Sequence, residues 1–139
     1  MLITLDSSVI VAALRVQEQS HQQCLRLLKR TEEGQHTAIM PYTVLVEVAA
    51  AVKRRTGSEE LARRVTRDLQ SISSLRFVEL DAERANQSAG LAIASGLRGM
   101  DAVVVQVARE FEAGLVSLDE ELVHKARSVA TVINIEELA

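Results

Sequence analysis

The 139-residue chain is 47% apolar and 25% charged, which excludes a disordered polymer and suits one domain, residues 1–139, with a single substantial core. No apolar run approaches the roughly 20 residues of a membrane span, and the lone cysteine, Cys24, excludes an intrachain disulfide. A formal net charge of −3 and only 2% aromatic residues speak against a globally cationic nucleic-acid binder and against a base-stacking platform.

The first residues lack a basic segment followed by a long apolar one, so no secretory signal is expected, and the single thiol fits a reducing cytoplasm. Residues 2–5 form a short apolar run that reads as a strand buried on both faces. It ends in Asp6, Ser7 and Ser8, and a short helix over 7–16 follows. A second helix over 20–29 gathers Cys24, Leu25, Leu27 and Leu28 on one side, with Cys24 as a small buried hydrophobe and Gly34 as the cap. Residues 37–40 give a second strand. Pro41 then introduces a helix over 42–55, apolar nearly all round through Ala51 and so expected to be buried on most faces, and stopped by Gly57.

Ser58 caps an amphipathic helix that runs to residue 71. A third strand over 77–80 is followed by Asp81 as the cap of a helix over 82–95, and residues 96–99 form a turn. Asp101 opens a strongly apolar helix, ended by Gly114. Residues 115–118 are a fourth strand, Asp119 starts a short helix, and residues 131–135 read as a fifth strand. Strands alternating with helices predict an α/β domain with a mostly parallel sheet of about five strands and helices on both faces.

Four acids sit where their neighbours are apolar: Asp6, Glu47, Asp101 and Asp119. Taken alone, Asp6 is most simply a helix N-cap. The fourfold recurrence asks for a shared reason. In open parallel sheets, sites lie beyond the carboxyl ends of the strands, where Asp6 and Asp119 fall. Glu47 and Asp101 lie in the opening turns of helices that can bring them to the same edge. Carboxylates gathered in a partly dry cleft repel unless a cation neutralises them. Oxygen donors without His or Cys suit Mg²⁺ or Mn²⁺, with Ser7 and Ser117 available to support the site. Such acidic centres serve phosphodiester hydrolysis.

These residues also carry a family resemblance over essentially the whole chain. Leu5-Asp6-Ser7-Ser8, the segment from Pro41 to Val48 with its helical Glu47, Gly99-Met100-Asp101-Ala102 and Ser117-Leu118-Asp119 resemble, in order, the four motifs of PIN-domain proteins. More narrowly, the chain is similar to the VapC-type ribonuclease toxins, with Ser117 where Thr is usual. The resemblance implies a PIN-like fold and Mg²⁺- or Mn²⁺-dependent endoribonuclease activity. It also implies Asp6, Glu47, Asp101 and Asp119 as metal-binding and catalytic set, with Asp6 and Asp101 holding the first ion most directly. Its remaining implications are a homodimer and a small antitoxin partner.

Other residues read more simply. Glu79, Glu120 and Glu121 belong to solvated surface or helix starts, and His21, His36 and His124 show no ligand spacing. Lys53, Arg54, Arg55, Arg63, Arg64 and Arg67 read as solvated faces. Arg98, just before Asp101, is a candidate phosphate contact. Residues 103–107 are core, or core plus dimer seam. The alternatives are a PIN nuclease in RNA processing or quality control without an antitoxin, and a PIN-like protein that binds metal or RNA without cleaving. A receiver domain is excluded, because residues 131–135 offer no Lys and the first strand gives a single Asp.

Overall fold

A computed structural model describes residues 1–138. In chain order the elements are β1 (Leu2–Leu5), α1 (Ser7–Leu14), α2 (His21–Glu32), β2 (Thr37–Pro41), α3 (Tyr42–Thr56) and α4 (Glu59–Ser71). Then come β3 (Leu75–Val78), α5 (Ala82–Ser95), α6 (Gly99–Glu110), β4 (Gly114–Val116), α7 (Glu120–Ala126) and a 3-10 turn at Ile135–Glu137.

The four strands are all parallel and hydrogen-bond in the order β3-β2-β1-β4. Ile3 faces Ala38 of β2 on one side and Gly114 of β4 on the other, so β1 is internal. Ile3, Thr4 and Leu5 are fully shielded from solvent, as a short apolar run without alternation requires. From β1 the chain steps outward to β2 and β3, then returns to lay β4 on the opposite side of β1. Right-handed crossovers in both directions place α1 to α4 and α5 to α6 on opposite faces. Accordingly α1 packs on α2 and α3, α3 on α4, α5 on α6, and α6 against β1 and β2. The direction of winding reverses at β1. This leaves a crevice beyond the carboxyl ends of β1 and β4, the position that in such sheets receives a ligand.

Packing fixes the helices that border this crevice. Val103, Val104, Val105 and Val107 of α6 are buried within one chain, so the valine run is core. Arg84 of α5 grips Glu110 of α6 through two hydrogen bonds of 2.8 Å and lies over the Phe111 ring, pinning the two helices together. Cys24 and Leu27 bury α2 against the main core. Burial pushes the Cys24 thiol up to about 11, with the nearby Glu18 charge adding to the rise. Ser58 caps α4 by accepting from the Leu61 amide, and Asp81 caps α5 by accepting from that of Arg84. At the end of α3, Gly57 takes φ +71°, a conformation side chains resist, while its amide bonds the Lys53 carbonyl.

Two expectations are corrected. The fifth strand over 131–135 reduces to one bridge, Leu115 with Val132, made by Leu115 to Thr131 and Ile133 to Leu115 bonds of 2.8 Å. The β-branched residues 131–133 favour extension, but β4 ends at Val116, so there is no ladder to extend. Asn134 then turns the chain by accepting from the Glu136 amide. Nor is α3 buried on most faces: Val44, Val48, Ala51 and Val52 face inward, whereas Val46 is 67% exposed. Apolar composition alone does not say which side of a helix finds a partner.

Burial ranks substitutions. Leu115→Ala, at a fully enclosed position, is expected to cost about 2–5 kcal/mol. Ile93→Ala, on the open side of α5, should stay within about 0.5 kcal/mol. Urea denaturation of both variants tests the ranking, and comparable losses would contradict the assigned core.

Candidate functional site

Asp6 follows the central strand, and its amide continues the β1–β4 ladder by donating to the Val116 carbonyl at 3.0 Å. It stands at the N-cap position of α1, yet its side chain caps nothing. Instead Oδ2 accepts from the Ser8 hydroxyl at 2.7 Å and from the Ser117 hydroxyl at 2.9 Å. Both hydroxyls are themselves fixed, because Ser8 Oγ accepts from the Leu118 amide and Ser117 Oγ from the Asp119 amide, each at 3.0 Å. Two loops that leave adjacent strands are therefore tied together through one carboxylate. Asp6 is only 5% exposed and has no ion-pair partner among the described residues. A buried carboxylate in that state calls for a cation.

The other three acids meet it in a cleft of about 480 Å³, walled by Asp6, Ser7, Glu47, Arg98, Asp101 and Asp119 among others. Glu47 lies in the second turn of α3. Burial, and then the charges of Asp6 and Asp101, hold its carboxyl above the usual carboxylate range, while a hydrogen bond from Ser7 partly offsets the rise. Asp101, in the first turn of α6, is raised by burial and by Asp6, against the opposing pull of Arg98. Asp119 divides its oxygens: Oδ1 caps α7 by accepting from the Glu121 and Leu122 amides, while Oδ2 takes Arg98. The sheet thus brings together all four acids singled out in the sequence, with Ser7 beside Glu47 and Ser117 on Asp6.

Arg98 does not project freely. Its guanidinium pairs with Asp101 at 3.4 Å, Asp119 at 3.2 Å and Glu121 at 3.6 Å. Ser8, the closest donor to Asp6, was not singled out in the sequence; the signal for it is the Asp-x-Ser spacing at a helix start, where a hydroxyl two residues on reaches back. Arg54 and Arg55 also gain significance. They line a groove of about 360 Å³ that shares Ser7, Ser8, Glu47 and Asp119 with the acidic cleft, so the last turn of α3 is not simply a solvated face. None of the three histidines lines the cleft.

The donor set is all oxygen and strongly acidic, which fits a hard divalent ion such as Mg²⁺ or Mn²⁺. Among the described residues no three of these side chains are already drawn around a single point. The backbone has nonetheless delivered all four acids to one cleft.

The PIN domain family model matches residues 3–128. No curated protein matches the chain by sequence. Among solved structures, Mycobacterium tuberculosis VapC20, a sarcin-ricin loop cleaving toxin, superposes with a TM-score of 0.74 at 17% identity, over 88% of this chain and 93% of that one. VapBC2 from Rickettsia felis, bound to a DNA fragment from its promoter, gives 0.67 at 19% identity over 96% and 98%. FitAcB from Neisseria gonorrhoeae gives 0.66 at 17% identity over 99% and 100%. At these identities the likeness is one of fold.

The raised carboxyl of Glu47 sets a pH dependence for the metal-free chain. Between the ordinary glutamate value of 4.5 and the higher value in the fold, the folded state binds more protons than the unfolded one. Stability from this group therefore falls as pH rises through that window and stays lower above it. Glu47→Gln should match the wild type below the window and be the more stable chain above it, in urea melts with EDTA. Coincident curves at every pH would show that neither burial nor the other acids raise the Glu47 carboxyl.

Proposed function

The chain belongs to the PIN-domain family, and on that premise we propose that it is a metal-dependent endoribonuclease, the toxin of a toxin–antitoxin pair. The observation that carries the reading is the meeting of Asp6, Glu47, Asp101 and Asp119 in one cleft at the reversal point of the sheet. These four side chains would hold Mg²⁺ or Mn²⁺. Such an ion, when bound, supplies polarisation of the phosphoryl group and lowers the pKa of water.

The protein's own part is positional. Ser8 and Ser117 aim the Asp6 carboxylate by donating to one of its oxygens, as outer groups do at metal sites. Glu47 stands at the mouth shared by the cleft and the adjoining groove. With its affinity for protons raised by burial and then by the neighbouring acids, it is suited to orient the attacking water and accept its proton at a carboxylate oxygen. The net change is hydrolysis: water adds to phosphorus, and one ester oxygen leaves with a proton. Arg54 and Arg55, on the wall of the groove, suit the backbone of an RNA strand leaving the acidic centre.

The toxin reading draws on two supports. Relatives of the same fold come from toxin–antitoxin complexes, among them one from Klebsiella pneumoniae. A mainly apolar groove of about 340 Å³ also lies between α1, α3 and α4, lined by Val11, Leu14, Val16, Val52, Leu61 and Val65, with Arg15 and Arg55 also on its wall. Val16 there is 77% exposed, a surface suited to an amphipathic segment of a small antitoxin. Homodimerisation is proposed from the family likeness alone.

The test is cleavage of a mixed RNA pool with Mg²⁺ or Mn²⁺. Cutting should stop with EDTA and fall by roughly 10²-fold or more in Asp6→Asn. Ser117→Ala, which leaves the acids in place, should lose about 10- to 100-fold. Equal cutting by wild type and Asp6→Asn would refute the acidic centre.

A further inference from the structure

Arg98 is the only basic residue lining the acidic cleft among the described residues. Its backbone is anchored at the start of α6, where its carbonyl accepts from the Ala102 amide at 2.8 Å. The preceding turn is fastened by Lys125, which donates to the Gly96 carbonyl at 2.9 Å and pairs with Glu121 at 2.8 Å. The side chain is different: 64% of it is exposed, and it reaches Asp101 and Asp119 only through ion pairs of 3.2 to 3.4 Å. Exposed pairs of this kind are weak and exchangeable. A fixed base with a swinging cation is thus placed on two of the carboxylates that the ion would need.

We propose that Arg98 is an exchangeable counter-cation, pairing with Asp101 and Asp119 and offsetting part of their charge in the metal-free protein, and passing to a substrate phosphate when a divalent ion takes those carboxylates. The inference rests on the reading of the cleft as a metal-dependent ribonuclease centre. Guanidinium and ion compete for the same oxygens, so Arg98 weakens metal binding. Once displaced, it sits at the rim of the cleft with its planar fork of donors unpaired, and a phosphodiester is the anion that reaches this spot. Glu121, already 3.6 Å away, offers a resting partner between the two states. Arg98 therefore opposes one ligand and assists the other. The pairing also offsets part of the negative charge of the empty cleft without filling it permanently, which a buried lysine or arginine would do.

The opposite signs make the test. Mn²⁺ is titrated calorimetrically, without RNA, into wild type, Arg98→Gln, Arg98→Lys and Asp6→Asn. Binding of a single-stranded oligoribonucleotide is then measured with Ca²⁺ present, its integrity checked on a gel. Arg98→Gln should bind Mn²⁺ about three- to tenfold more tightly than wild type and RNA about three- to tenfold more weakly. Arg98→Lys should fall between, because an ammonium carries the charge but spans the two carboxylates poorly. Unchanged or weaker Mn²⁺ binding by Arg98→Gln, with Asp6→Asn still impaired, overturns the exchange and leaves the metal-centre reading standing. Asp6→Asn binding Mn²⁺ as well as wild type overturns that reading itself. Weakening of both ligands in Arg98→Gln marks a merely structural role and overturns the exchange as well.

Discussion

A charged carboxylate at the end of the central strand, shut away from water, sets the terms for everything around it. Asp6 meets solvent only through the cleft, because β1 is covered on both faces and on both edges. It is held by two hydroxyls, one from the start of α1 and one from the loop after β4. Those bonds also set the geometry of the site. Ser117 must lie against Asp6, so β4 must run beside β1, and the loop that carries Asp119 must leave the sheet at the same end. The crossover that brings β4 back to β1 is thus joined to the site by a pair of hydrogen bonds, and a change to Asp6 acts on both.

Electrostatics then divides the acids by their surroundings. Asp119 is half spent on capping α7. Glu47 and Asp101 hold protons more firmly than usual, through burial first and the repulsion of neighbouring acids second. A protein that only needed a stable fold would not gather these groups, since each would be more comfortable on an open surface. Arg98 relieves part of the repulsion from the rim, where solvent screening keeps its grip weak. The arrangement is tense without a divalent ion and suited to accept one, which is the physical content of the proposed nuclease centre. Beside it lie two adjoining grooves that share Arg55, one with Arg54 next to the acids and one lined mainly by apolar side chains of α1, α3 and α4.

Much of this was legible before any coordinates. The strand ending in Asp6, the helical Glu47, the Asp101 that opens an apolar helix and the acid after the last true strand are local features, and each rests on residues adjacent in sequence. The caps at Ser58 and Asp81 and the stop at Gly57 were legible for the same reason. Where the reading failed, a distant partner decided. Residues 131–135 have strand-like composition, but β4 ends before they can pair along it. The valines of α6 were core or seam until the sheet and α5 closed over them. Val46 looked like core, and no element covers it.

The sequence by itself determined the alternating α/β architecture and the identity of the four acids, because hydrophobic periodicity and the misfit of a carboxylate among apolar neighbours are short-range properties of the chain. Only the tertiary structure decided which hydroxyls hold Asp6, that Arg98 spans Asp101 and Asp119, and that Arg54 and Arg55 border the same opening. Ser117 reaches Asp6 across 111 residues of chain and Arg98 reaches Asp119 across 21. Contacts of that range exist only once the winding of the sheet has reversed at β1 and laid β4 along its free edge.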